Sequence, residues 1–389
     1  MDVAEQRERT ITIEGNRLTP IIEGPEILET LLDLIDGAKC SVRLLYYIYT
    51  ADRTGAAVRD ALLRAIDRGV QVSLLIDGFG SNRTPESYFR ELHERGARFC
   101  RFNPSYGRRY LLRNHQKLTL ADAETDARRI LIGGFNIENG YFARIDEVGW
   151  RDLGLLVEGP AVARVMPYYD AVMAWALNPR SRLKTLRSVV RQYSESKGAL
   201  QWLYGGPMQL KSPWGLATLH DLAKAHDLEM MVAYFAPMGG ILDRIGAVAQ
   251  RGRARLMIPA KSDNPPTIDA ARSTYARLLK KRVRIYEYEA TKLHAKMLVM
   301  DDVVHIGSSN FDLRSLYLNM EMMLRVDDPD FALMMRNYFE HELGNATEIT
   351  AAVYKARATF FKRIKWRLAW LLVTSLDYTV TRRLALRVP

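Results

Sequence analysis

Two rhythms of apolar and polar positions recur along this chain. Residues 41–77 open with an apolar run from Val42 to Tyr49. Apolar positions at helical spacing follow between Ala56 and Ile66, then a second run from Val70 to Ile76. Short apolar runs bounded by turn residues predict strands, and the 3.6-residue spacing between them predicts an amphipathic helix. Residues 228–260 repeat the arrangement, with runs from Leu228 to Pro237 and from Ala254 to Ala260 around a helical pattern between Ile241 and Arg251. Each helix closes on Arg-Gly, Arg68-Gly69 and Arg251-Gly252, where glycine suits the left-handed residue after a helix end. Each unit then passes through a further helix into a third strand, near Arg98 and near Arg284. Such alternation predicts an α/β protein with a mostly parallel, helix-covered sheet in each half.

The halves stay in step beyond the third strand. His115, Lys117 and Asp122 correspond to His294, Lys296 and Asp301; Gly133, Gly134 and Asn136 correspond to Gly307, Ser308 and Asn310; the segment from Asp152 to Pro160 corresponds to that from Glu321 to Pro329. The chain therefore reads as a tandem duplication. Its expected parts are a first domain over 1–165, a connecting segment over 166–214, a second domain over 215–345 and a tail over 346–389.

Side chains alternate faces along a strand, so His115 and Lys117 are expected on one side, as are His294 and Lys296. An imidazole beside an ammonium suits a phosphate, because the lysine neutralises an oxygen while the histidine attacks phosphorus or moves a proton. The glycine-rich stretches ending in Asn136 and Asn310 allow close backbone approach and add an amide donor. An acid at Asp152 or Glu321 can accept from the other imidazole nitrogen and fix its tautomer. If the halves pack about a pseudo-twofold, both sets face one pocket, with one histidine the nucleophile and the other the acid. Asp122 and Asp301, five residues beyond the lysines, suit turn hydrogen bonding. His93, His220, His226, His305 and His341 lack such company and read as surface or core residues; only His305, on the strand running into Gly307, lies close to the pattern.

Composition adds limits. At 389 residues, 48% hydrophobic and 26% charged, the chain is globular rather than disordered. Cys40 and Cys100 cannot staple a chain of this length, and both read as buried thiols in strands. No Cys/His cluster has zinc-ligand spacing, and neither a metal nor a cofactor is expected. Residues 1–5 lack the layout of a signal peptide, and no run reaches the ~18 apolar residues of a spanning helix. The net charge of +11 is concentrated. The tail from Lys355 onward carries nine basic residues against Asp377, the run from Arg180 to Arg191 carries five, and the rest of the chain sums to −2.

The duplicated H-x-K-x4-D pattern, each copy followed by a glycine-rich Asn segment, resembles the phospholipase D superfamily. Gly24-Pro25, Tyr47, Asp52, Gly55, Arg113-Asn114 before His115, Trp150-Arg151-Asp152, Tyr234-Phe235, Ser262-Asp263, Arg314-Ser315 and Asn319 extend the resemblance to its bacterial cardiolipin synthase branch, over nearly residues 20–345. The chain departs from that branch at Gln116, Leu153-Gly154 and Ala290-Thr291, and at its lack of N-terminal membrane helices. The resemblance implies tandem domains about a pseudo-twofold with one shared site, and a two-step phosphatidyl transfer without metal. On that precedent His115 is the nucleophile, His294 the acid and base, Lys117, Lys296, Asn136 and Asn310 the holders of phosphate oxygens, and Asp152 and Glu321 the acids that orient the imidazoles.

In the tail, Lys362, Arg363, Lys365 and Arg367 interleave with Phe360, Phe361, Ile364, Trp366, Leu368 and Trp370. That pattern suits a helix in the headgroup plane of an anionic membrane, on the cytoplasmic face of the inner membrane. The alternative is a terminal helix that docks its aromatics on the protein's own core. Phospholipids are the expected substrates. Phospholipase D hydrolysis is the nearest rival activity; a nuclease, and with it a nucleic-acid partner, is disfavoured because the basic charge lies outside the near-neutral duplicated body.

Overall fold

The computed structural model describes residues 9–102, 112–208 and 211–385, with side chains described as far as residue 374. Residues 1–5, read for a leader, and Arg387 of the tail lie outside the described residues, as do the side chains of Asp377, Arg382 and Arg383.

Each half builds an eight-stranded mixed sheet. The strand–helix alternation gives parallel pairing where it occurs: Ser41–Tyr46, Gln71–Asp77 and Arg98–Phe102 in the first half, and Asp227–Met231, Arg253–Pro259 and Arg284–Tyr288 in the second. Strands that follow on short turns return antiparallel, Leu118–Ala121 with Arg129–Gly133 and Met297–Met300 with Val303–Gly307, because a two-strand turn cannot make a parallel crossover. Leu200–Gly205, within the stretch read as a connector, is the edge strand of the second sheet and pairs with Glu321–Asp327.

The layering explains why the strands are apolar on both faces. Helices Gly24–Gly37 and Arg53–Asp67 cover the outer face of the first sheet, and Gly239–Arg251 and Pro265–Lys280 the outer face of the second. The inner faces share one core, in which Leu118, Leu120, Ile132 and Leu155 join Met297, Val299, Ile306 and Leu324. Helices Met166–Leu177 and Pro329–Leu343 complete that core. Each fully buried aliphatic side chain there contributes ~1.5–3 kcal/mol, so the halves are joined by their main hydrophobic layer.

The duplication extends to single turns. Asp122 and Asp301 both adopt left-handed backbone, φ 50° in each. Asp122 accepts from the backbone N–H groups of Lys39, Cys40 and Ser41, and Asp301 from those of His226 and Asp227. Two readings change. Gly69 has φ +84° after its helix, but Gly252 is extended, and glycine is needed there because a Cβ would lie 2.2 Å from the His226 carbonyl. Cys100 is buried, whereas Cys40 is exposed in the turn before its strand.

The tail forms a helix over Phe360–Ala385 that packs along Pro265–Lys280. Trp366, Ala369 and Thr374 are buried against the body, and Lys365 pairs with Asp269 at 2.9 Å. Phe360, Phe361, Ile364, Leu368, Leu371 and Leu372 remain exposed. The helix thus docks on the core by one side and presents a second apolar side outward. Among the described residues no helix is long and apolar enough to cross a membrane.

Candidate active site

The two H-x-K segments lie just before strands Leu118–Ala121 and Met297–Met300, not within them. Their backbone groups pair with the opposite half instead. His115 N donates to Met320 O at 2.9 Å, and His294 N to Arg151 O at 2.7 Å. A short parallel ladder, Lys292–Leu293 on Trp150–Arg151, and the bridge between Asn114 and Met320 complete the exchange. Each histidine is therefore delivered to the residue before the other half's acid.

The imidazoles pair accordingly. His294 Nδ1 lies 2.7 Å from Asp152 Oδ2. Both oxygens of Glu321 lie 3.1 Å from His115 Nδ1, with Oε2 making the hydrogen bond. The four side chains are buried, with His115 at 9% exposure and His294 at 3%. A carboxylate at Nδ1 keeps the proton on that nitrogen and leaves the lone pair on Nε2. His294 Nδ1 also lies 2.8 Å from Lys296 Nζ. A nitrogen carrying a proton for Asp152 cannot accept from an ammonium, and the nearer charged acid takes precedence.

Each lysine turns back on its histidine: Lys117 Nζ donates to His115 O at 2.6 Å, and Lys296 Nζ to His294 O. Two protons remain on each ammonium for a ligand. Burial pushes His115 down to about 4 against the pull of Glu321, and His294 down to about 3, with Lys296 adding to the effect. Burial also brings Lys296 down to about 8 and Lys117 well below the usual lysine range. The field of Lys296 reaches His115, and that of Lys117 reaches His294, so the two motifs share one site. Two buried lysines beside two imidazoles whose affinity for a proton is lowered can together receive an anion such as a phosphodiester.

Asn136 Oδ1 accepts from Ile48 N at 3.0 Å, which leaves its amide donor for other partners. Asn310 is buried, and its Oδ1 has no hydrogen-bond partner among the described residues.

Several residues at the site carried no assigned role in the sequence. Ser308 donates to Glu321 Oε2 at 2.5 Å while accepting from Met322 N, and in the first half Gly134 N–H serves Asp152 Oδ1 at 3.1 Å. Their alignment as Gly134 and Ser308 was the available signal. Asp77 is buried and accepts from Phe79, Gly80 and Asn114, the last at 2.7 Å, so it holds the residue before His115; burial pushes its carboxyl up to about 6. Tyr47 stands 5.0 Å from the His115 ring, and Tyr141 and Trp150 each 5.1 Å from that of His294. Two of the departures from the family pattern, Gln116 and Thr291, face the seam between halves. Gln116 Nε2 donates to Glu321 O at 2.9 Å and to the Tyr168 hydroxyl, and Thr291 Oγ1 donates to Gly149 O at 2.7 Å. His305 is a core histidine, its Nε2 2.8 Å from Asp221 Oδ2.

The family model described as "Cardiolipin synthase, PLD-like domain" matches residues 31–163 and again 218–343, each match containing one H-x-K motif. The chain belongs to this family. Among relatives in the cardiolipin synthase family, the major cardiolipin synthase ClsA of Bacillus subtilis is 31% identical over 364 residues, covering 90% of this chain and 73% of that protein. Cardiolipin synthase 1 of Bacillus anthracis is 29% identical over 352 residues, covering 87% and 68%. The crystal structure of phosphatidylserine synthase from Haemophilus influenzae shares the fold, with a TM-score of 0.70 at 15% identity over 94% of both chains. The polyphosphate kinase of Porphyromonas gingivalis follows at a TM-score of 0.56 and 13% identity, covering 88% of this chain and 55% of that one.

Proposed function

We propose that this enzyme moves a phosphatidyl group from a donor phospholipid, phosphatidylglycerol, to the hydroxyl of a second lipid, making cardiolipin. The observation that carries the reading is the crossed pair His115–Glu321 and His294–Asp152 around two buried lysines. In the first step His115 Nε2 attacks phosphorus, the bond to the headgroup oxygen breaks, and protonated His294 gives its proton to the departing glycerol. The bound phosphodiester's negative charge raises the His294 pKa from its depressed free value, which makes that proton available. In the second step His294 takes the proton of the incoming lipid hydroxyl, the new P–O bond forms and the P–N bond breaks, restoring His115. Lys117, Lys296, Asn136 and Asn310 hold the non-bridging oxygens, where charge builds in the transition state. His115 is the more exposed of the two imidazoles, in keeping with its role as nucleophile.

The tail supports action at a membrane. Its outward side combines Phe361, Leu368 and Leu372 with Lys362 and Arg367. A groove of about 430 Å³ beside it is lined by Arg277, Arg363, Arg367 and Trp370, which suits an anionic headgroup. We place the protein peripherally on the cytoplasmic face of the inner membrane.

Incubation with phosphatidylglycerol vesicles, with products read by mass spectrometry, tests the reading. Cardiolipin and free glycerol are expected, and neither with His115→Ala. Phosphatidic acid alone would make the enzyme a hydrolase, and no lipid product would end the proposal. The pH profile carries a further expectation. Lys296 is cationic below its pKa of about 8, so kcat/KM for the donor falls as pH rises through that value. Lys296→Arg, which keeps its proton, moves the falling limb to higher pH; an unmoved limb assigns it to another group.

A further inference from the structure

Twelve large apolar side chains are exposed among the described residues, and nine of them lie in two places. Six form the outward side of the tail helix. The other three, Phe79, Val148 and Met238, stand on three separate segments, each tied to the surroundings of an active-site histidine through another residue. Phe79 sits in the turn held by Asp77, which also holds Asn114 beside His115, and the Arg113 guanidinium lies 4.0 Å over its ring. Val148, 92% exposed, precedes Trp150 by two residues, and Trp150 lies edge-on to His294. Met238 caps helix Gly239–Arg251, four residues after Tyr234, whose ring is 6.4 Å from that of His294. A single exposed apolar residue is ordinary, but three on segments that each adjoin a residue beside an active-site histidine point to a contact surface.

The tail helix continues that surface. It packs on Phe235–Ala236, the strand between Tyr234 and Met238, and on Leu313–Tyr317, which follows Asn310. Its basic residues favour an anionic occupant over a neutral protein face. We propose that Phe79, Val148 and Met238 form a collar around the active-site mouth that inserts into the anionic bilayer, so that lipid passes from membrane to site without crossing water. The proposal rests on the phosphatidyltransferase reading above.

The test is the triple variant Phe79→Ser, Val148→Ser, Met238→Ser in the full chain, with its melting temperature as a check on folding. On phosphatidylglycerol vesicles its turnover is expected to drop by about tenfold or more, since interfacial binding scales with buried apolar area. On dihexanoyl phosphatidylglycerol below its micelle concentration, turnover should stay within about twofold of the parent, because monomeric lipid needs no insertion. Equal losses on both substrates, or undiminished vesicle turnover, overturn the collar. If the parent protein turns over neither lipid, the phosphatidyltransferase reading fails instead. Cosedimentation with phosphatidylglycerol vesicles then decides the collar alone: weaker binding of the triple variant supports it, and equal binding overturns it.

Discussion

Alanine at His115 is expected to lower phosphatidyl transfer by about 10⁴-fold or more, the usual scale for removing a nucleophile from a preorganised site. No other described group at the site offers a neutral imidazole lone pair on that side, with Glu321 behind it holding the Nδ1 proton. Alanine at His294 should reduce transfer of natural lipids comparably, for a different reason: glycerol is a poor leaving group without a proton. The two variants part on a phospholipid whose headgroup is p-nitrophenol, which departs as an anion. His294→Ala should then release a stoichiometric burst of p-nitrophenol and accumulate a phosphohistidine at position 115, whereas His115→Ala should release none. A burst from His115→Ala, with the label on His294, would exchange the two roles.

The crossed acids extend this logic. Asp152→Asn and Glu321→Gln keep shape and remove charge, and each should cost on the order of 10³-fold in kcat by releasing the imidazole tautomer. Because Asp152 holds His294, a histidine of the other half, Asp152→Asn should be rescued in the burst phase by the p-nitrophenyl substrate. Glu321→Gln, acting through His115, should not. Pairing within each half predicts the opposite, so the rescue pattern tests the geometry and not only the presence of the acids. Both variants should retain the parent's melting transition within a few degrees if the acids act through the imidazoles alone.

Much of this was legible in the chain. The strand–helix–strand units from Val42 to Ile76 and from Leu228 to Ala260 were readable because a covered strand and an amphipathic helix leave different periodicities. The duplication exposed His115, Lys117, His294 and Lys296 because two copies of one pattern at matching places rarely arise without shared chemistry. The turn aspartates Asp122 and Asp301 were readable for the same reason. What stayed hidden depended on contacts between residues far apart in sequence. Periodicity could not show that the motif segments leave the sheet, since their partners are Met320 and Arg151 of the opposite half. Cys40 looked buried because its run is apolar, yet it stands one residue before the strand begins.

The sequence by itself determined that the protein is duplicated, which residues make up the two matching motifs, and where the positive charge lies. Local spacing sets strand, helix and turn, and those features are local. Tertiary structure alone decided which acid serves which histidine, that Ser308 and Gly134 N–H brace those acids, and that the tail turns its Trp inward and its Phe and Leu outward. The physical reason is the shared core. Once Leu118, Ile132, Met297 and Ile306 bury one face of each sheet together, the motif segments meet across the seam, and the pairs that form there are set by packing between halves rather than by order along the chain.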